Sequence, residues 1–174
     1  MNKLFYLLII PLFSIVFQSC NDDVESYTEW RKENEAYIEE IKSKAEDSNS
    51  EYYTATIPGG PGSIYYKILK KGDGNISPIS TSVVNIRHKG WLANNNKVFE
   101  DASSRTISTS VNDFSTSSKI TRGHYVALQN MQAGDKWEVT IPWELGYGAT
   151  GYGSIVPPYS ALIFELELIN ISEL

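Results

Sequence analysis

Cysteine and histidine are scarce: the 174 residues include one cysteine, Cys20, and two histidines, His88 and His124. A lone cysteine cannot close an internal disulfide, and so few thiols and imidazoles leave no Cys/His cluster of metal-site spacing. There is no long run of Lys or Arg, and the net charge of -6 excludes the basic footprint that nucleic acid requires. No segment repeats. The longest apolar run, Leu4 to Phe17, falls short of the ~20 residues of a comfortable membrane-spanning helix. What is present suffices for a core: 41% of residues are apolar and 21% charged, which argues against wholesale disorder. The length fits one domain of ordinary size plus a targeting segment.

That apolar run has the pattern of a signal-peptide core. Lys3 supplies a short positive start, Ser14 alone interrupts the run, and Phe17-Gln18-Ser19-Cys20 closes it. A lone Cys after a small residue at this place resembles a bacterial lipobox, although Phe17 and Gln18 depart from its commonest residues. The resemblance predicts residues 1–19 as signal peptide, with acylation at Cys20 and a cut just before it. The plainer alternative is a secretory peptide with an incidental Cys. Acyl chains worth about 0.8 kcal/mol per buried CH₂ would make the anchoring permanent. The acidic stretch Asn21-Asp22-Asp23-Val24-Glu25 resembles the surface-export signal of some Gram-negative lipoproteins and reads equally well as a solvated tether. The expected location is the cell envelope, lipid-anchored at the outer membrane, facing either the periplasm or the surface.

Residues 20–51 read as tether and helix. Ser26 to Asp47 is helical by pattern, with Tyr27, Trp30, Tyr37, Ile38 and Ile41 on one stripe and Ser26 and Glu29 spaced as a capping box. Such a helix is expected to rest on the following domain, with pairing of chains or a stalk as the alternatives. Residues 52–174 are strand-rich. Ile64 to Lys70 precedes the turn signal Gly72-Asp73-Gly74. From Val83 to Leu92, the residues Val84, Ile86, His88, Gly90 and Leu92 share one face. Trp137, Val139 and Ile141 alternate with Glu138 and Thr140, and Leu162, Phe164, Leu166 and Leu168 alternate with Glu165 and Glu167. Strands apolar on one side need a cover. One short helix, Arg122 to Gln132, offers His124, Ala127, Leu128 and Met131 as its stripe, and Gly134-Asp135 ends it. The expected class is α+β: an antiparallel sheet closed over one short helix, with an N-terminal helical extension.

Gly146 to Gly151 satisfies G-x-G-x-x-G. A dinucleotide site needs a helix to start there, and Pro157-Pro158 followed by a strand pattern forbids one.

The remaining chemistry comes from a resemblance. Leu145 to Leu168 (LGYGATGYGSIVPPYSALIFELEL), Ala127 to Trp137 (ALQNMQAGDKW) and Ser63 to Gly74 (SIYYKILKKGDG) closely resemble, in order, segments of FKBP-type peptidyl-prolyl isomerase domains. The resemblance covers residues 52–174 and is poor from Ile107 to Lys119. It implies a shallow apolar pocket that binds a proline ring and speeds cis/trans exchange of the preceding amide, with no cofactor, nucleophile or metal. By position it implies Phe99, Glu100, Tyr147 and Phe164 as catalytic residues. His88, Arg105, Ile120, His124, Tyr152, Ile155 and Val156 are implied as substrate-binding. Phe99 would form a pocket wall, Tyr147 a hydroxyl donor, and Tyr152, Ile155 and Val156 a flap. Glu100 and Arg105 would pair, with Glu100 replacing the usual aspartate. His124 stands where the family usually has tryptophan and His88 where it has tyrosine. These are tolerated substitutions around a smaller, more polar pocket, or a pH-sensitive pocket, since histidine titrates near neutrality; two histidines alone make a poor metal site.

Two functional readings stay open on the sequence. One is an isomerase that helps exported, proline-containing polypeptides fold. The other is a non-catalytic binding module or accessory subunit of an outer-membrane protein complex. A glycan surface built on Tyr147, Tyr152 and Tyr159 is a minor third. Neither main reading involves nucleic acid.

Overall fold

The computed structural model describes residues 22–115 and 120–174; Cys20 and the apolar leader lie outside the described residues. Helix α1 (Asp22–Glu46) comes first. Strands β1 (Tyr53–Thr56), β2 (Ser63–Lys70), β3 (Val83–Leu92), β4 (Val98–Asp101) and β5 (Ile107–Ser110) follow. Helix α2 (Arg122–Asn130), β6 (Lys136–Ile141) and β7 (Leu162–Glu173) complete the chain. All strand pairs are antiparallel, in the order β1-β2-β6-β7-β3-β4, with β5 also on β3. This is the α+β arrangement expected from the alternating strands. The expectation omitted β1, β4 and β5: each is four residues long, too short to show a period.

Alternation in β3 is complete. Val84, Ile86, His88, Gly90 and Leu92 are buried and the residues between them are not. With Val139, Ile141, Leu162, Phe164, Leu166 and Leu168 they form the inner face, which meets Val126, Ala127, Leu128 and Met131 of α2. Gly123 lets this helix sit close: a Cβ there would lie 2.4 to 2.7 Å from three Ile141 side-chain atoms. Thr121 caps α2, its hydroxyl accepting from the His124 N–H while the His124 ring accepts from the Thr121 N–H. The buried Asp135 carboxylate accepts from the backbone N–H groups of Gly72 and Gln132, fixing the turn after α2.

The N-terminal helix rests on the domain, as expected, but on a different residue set. It begins at Asp22, so Ser26 lies a turn inside it and is not its cap. Tyr27, assigned to the buried stripe, is exposed, whereas Asn34 is fully buried. The Asn34 amide donates to the Trp30 carbonyl and its oxygen accepts from the Ala161 N–H at 2.7 Å. Thr140, expected to face solvent, is buried. It lies in a cross-strand row with Tyr65 and Ile163 on the outer face of the sheet, and its side chain is hydrogen-bonded to Tyr37 of α1. Alternation describes a sheet with one covered face; here α1 covers a corner of the second. No helix of the described residues is long and apolar enough to cross a membrane.

Candidate functional site

Rings gather at the end of the sheet where β3, β4 and β7 meet the loop 142–161. Phe164 of β7 is buried in the centre. It meets Phe99 of β4 edge-on at 5.4 Å between ring centroids, His124 of α2 at 4.3 Å and His88 of β3 at 5.5 Å. Edge-to-face geometry of this kind is favoured by the ring quadrupoles. Gly90, opposite Phe164 in the β3–β7 register, leaves room for both phenylalanines: a Cβ there would stand 2.5 Å from Phe164 and 2.8 Å from Phe99. Phe99 reaches Tyr147 edge-on at 6.1 Å, and Tyr147 stacks on Tyr152 at 4.9 Å.

A cavity of about 390 Å³ opens in front of this cluster. Ile120, Tyr147 and Tyr152 line it, together with Phe114, Arg122 and Glu144. Tyr147 is therefore the shared wall between the buried rings and the open cavity. Phe99, Phe164, His88, His124 and Val156 stand behind that wall rather than on it. Val156 is buried, and it pairs with Tyr152 through two backbone hydrogen bonds of 2.9 and 3.1 Å that close the tip of the loop. Ile155 is 44% exposed at that tip. Arg105 lies outside, its guanidinium 3.6 Å from the Glu100 carboxylate. Phe114, Arg122 and Glu144 were not anticipated. Phe114 falls in the segment where the family resemblance is poor, and a charge at a helix start or in a short turn carries no periodic signal.

The electrostatics of the site follow from burial. Burial, helped by Tyr152 and the Glu100 carboxylate, pushes the Tyr147 phenol up to about 12, so its O–H remains a donor at any ordinary pH. Burial first, and His88 second, hold His124 well below the usual histidine range. The hydrogen bonds agree. The Thr121 N–H donates to His124 Nδ1, so the ring proton sits on Nε2, 3.2 Å from His88 Nδ1, which accepts it. The two imidazoles are thus joined in a buried, hydrogen-bonded floor, and His124 has no charge change near neutral pH. No group of three or more His, Cys, Asp or Glu side chains among the described residues could hold a metal ion.

Comparison with known proteins gives a consistent result. The family described as FKBP-type peptidyl-prolyl cis-trans isomerase matches residues 74–169. An FK506-binding protein of Neisseria meningitidis is 32% identical, over 64% of this chain and 99% of its own length. The FKBP-type 22 kDa peptidyl-prolyl cis-trans isomerase of Escherichia coli is 34% identical over 76% of this chain, which spans 60% of that protein. A peptidyl-prolyl cis-trans isomerase of Pseudomonas syringae pv. tomato has a solved structure that superposes with a TM-score of 0.63 at 26% identity, covering 80% of this chain and 93% of that one.

Proposed function

Because this chain belongs to the FKBP-type peptidyl-prolyl cis-trans isomerase family, we propose that it is a lipid-anchored folding catalyst of the cell envelope acting on exported, proline-containing polypeptides. The observation that carries the site assignment is the Tyr147 wall, with Phe99 and Phe164 behind it and an open cavity before it.

The chemistry asked of that wall is modest. C–N resonance sets an amide barrier of about 18–20 kcal/mol and places charge on the carbonyl oxygen, which water stabilises. A proline ring held against Tyr147, Ile120 and Tyr152 sheds that water, and the planar amide loses part of its advantage over the twisted one. Each 1.36 kcal/mol so removed is about tenfold in rate. The Tyr147 hydroxyl, kept protonated by burial, supplies a hydrogen bond that orients the substrate carbonyl. Glu100, held by Arg105 on the outside, adds a fixed negative charge near the phenol. His88 and His124 keep the floor behind Tyr147 filled.

The envelope role rests on the leader and on Cys20, whose acylation would tether α1 and the domain to one membrane face. Two measurements test the proposal. Exchange in a short Xaa-Pro peptide should be accelerated by the full chain, reduced about tenfold by Tyr147→Phe, which loses one oriented donor, and abolished by Phe164→Ala. Absence of acceleration by folded wild-type protein would overturn the isomerase reading, and full activity in Tyr147→Phe and Phe164→Ala would overturn the site assignment. In cells, Cys20→Ala should move the protein from the membrane fraction to the soluble one; equal membrane retention would overturn the anchor while leaving the isomerase intact.

A further inference from the structure

The loop 142–161 bears Tyr147 and Tyr152, yet its outer side is fastened by a helix more than a hundred residues earlier in the chain. The contacts come from three residues of α1, Trp30, Arg31 and Asn34. Trp30 Nε1 donates to Ser160 Oγ at 3.2 Å, and that hydroxyl donates to the Pro157 carbonyl at 2.7 Å. The Arg31 guanidinium lies over two rings at once, 4.7 Å from the Tyr159 centroid and 5.3 Å from that of Trp143. Those rings meet edge-on at 5.0 Å, one from each limb of the loop. Glu35 accepts from Arg31 Nε at 2.7 Å and so aims the guanidinium. Asn34, fully buried, accepts the Ala161 N–H where the loop enters β7.

Each contact falls on a limb of the loop, and the limbs communicate directly with the pocket. Tyr159 has a positive φ of 59°, a conformation that a bulky residue adopts only when its surroundings impose it. In that conformation its N–H donates to the Gly148 carbonyl at 3.0 Å, one residue beyond Tyr147. The path therefore runs from Arg31 to the Tyr159 ring, through the Tyr159 backbone, to the carbonyl of Gly148, the residue after the hydroxyl donor. Trp143, on the other limb, is next to Glu144 on the cavity wall.

We propose that Trp30, Arg31 and Asn34 are positioning residues for the isomerisation, forming a clamp by which α1 holds the Tyr147–Tyr152 wall in its working place. The inference rests on the isomerase activity and not on the envelope location. None of the three side chains touches the cavity. They act through the loop, so loosening them costs turnover rather than fold, a misplacement of the hydroxyl by an ångström being enough to lose rate.

The test uses the full chain and single variants on α1, followed by Xaa-Pro exchange kinetics, thermal unfolding and amide hydrogen exchange. Arg31→Ala should lower kcat about fivefold, with KM changed less, at temperatures far below unfolding. Amide exchange should rise at Tyr159 and Tyr152 and stay unchanged in β3 and β7. Arg31→Lys, which keeps a cation over the rings, should recover much of the rate, and the exposed Lys32→Ala should have no effect. Asn34→Ala should act in the same direction; if it does not fold, Arg31→Ala still decides the matter. Unchanged kcat in folded Arg31→Ala, or a fall in unfolding temperature with full activity in the protein that remains folded, would overturn the clamp. Loss of exchange activity in wild-type protein would instead strike the isomerase reading itself.

Discussion

His88, His124 and Phe164 at the floor of the site are at most 1% exposed, whereas Tyr147 and Tyr152 on the facing loop are half-buried and Ile155 at its tip is 44% exposed. The floor comes from two long strands and a capped helix, the strands paired with each other along their length. The wall comes from a loop whose regular content is two short 3₁₀ turns, Trp143–Leu145 and Gly148–Thr150. A floor of this kind holds its rings in one arrangement. A wall of the other kind can admit a chain and close upon it, but it needs outside support to return to one place.

Substitutions on either side separate the two. Phe164→Ala should be the most damaging, costing about 3–5 kcal/mol because it empties the centre of a dry cluster; denaturant unfolding measures this. Gly90→Ala should follow at about 1–3 kcal/mol, since its methyl must displace Phe164 and Phe99 together, and exchange activity should fall with it. The next effect is a pH dependence of stability. His124 is held well below its ordinary value, so above about pH 6.5 folded and unfolded chains are both neutral there and stability is complete. As pH falls below that, the unfolded chain takes up a proton that the folded chain refuses. Stability should then drop by about 1.4 kcal/mol per pH unit, a slope that His124→Phe removes in urea titrations between pH 5 and 7.5. Smallest is Ile155→Ser at the tip, expected within about 0.5 kcal/mol in stability and visible only as a raised KM. If Ile155→Ser rivalled Phe164→Ala in stability, the contrast between floor and wall would not hold.

The two sides also differ in how plainly the sequence announces them. Val84 to Leu92 alternates without a fault, and that period alone turns His88 and Gly90 inward. The stripe on α2 does the same for His124, and alternation along β7 does so for Phe164. The wall is legible only through likeness to a family, because Gly/Pro-rich loops carry no period. What stays hidden arises from contacts between distant segments. Asn34 looks like a solvated residue on a charged helix until Ala161, 127 positions later, presents an N–H to it. Thr140 looks outward until Tyr37 of α1 lies against it. Phe114 lines the cavity from a stretch that has no period and resembles the family poorly, and Arg122 from the first turn of a helix whose stripe points elsewhere.

The place of β7 in the sheet also bears on how the chain acquires its shape. This strand lies between β6 and β3 and leaves the ribosome after the other strands of its sheet, while β3 emerges some seventy residues sooner. During synthesis β3 therefore waits, with β4 and β5 as its only neighbours, for the partner that shares its whole length. Pairings so remote in sequence close slowly, on the order of milliseconds to seconds. Through that interval the inner row of Val84, Ile86 and Leu92 is open to solvent, a ready site for holdase chaperones. The isomerase domain would itself depend on being escorted until β7 arrives.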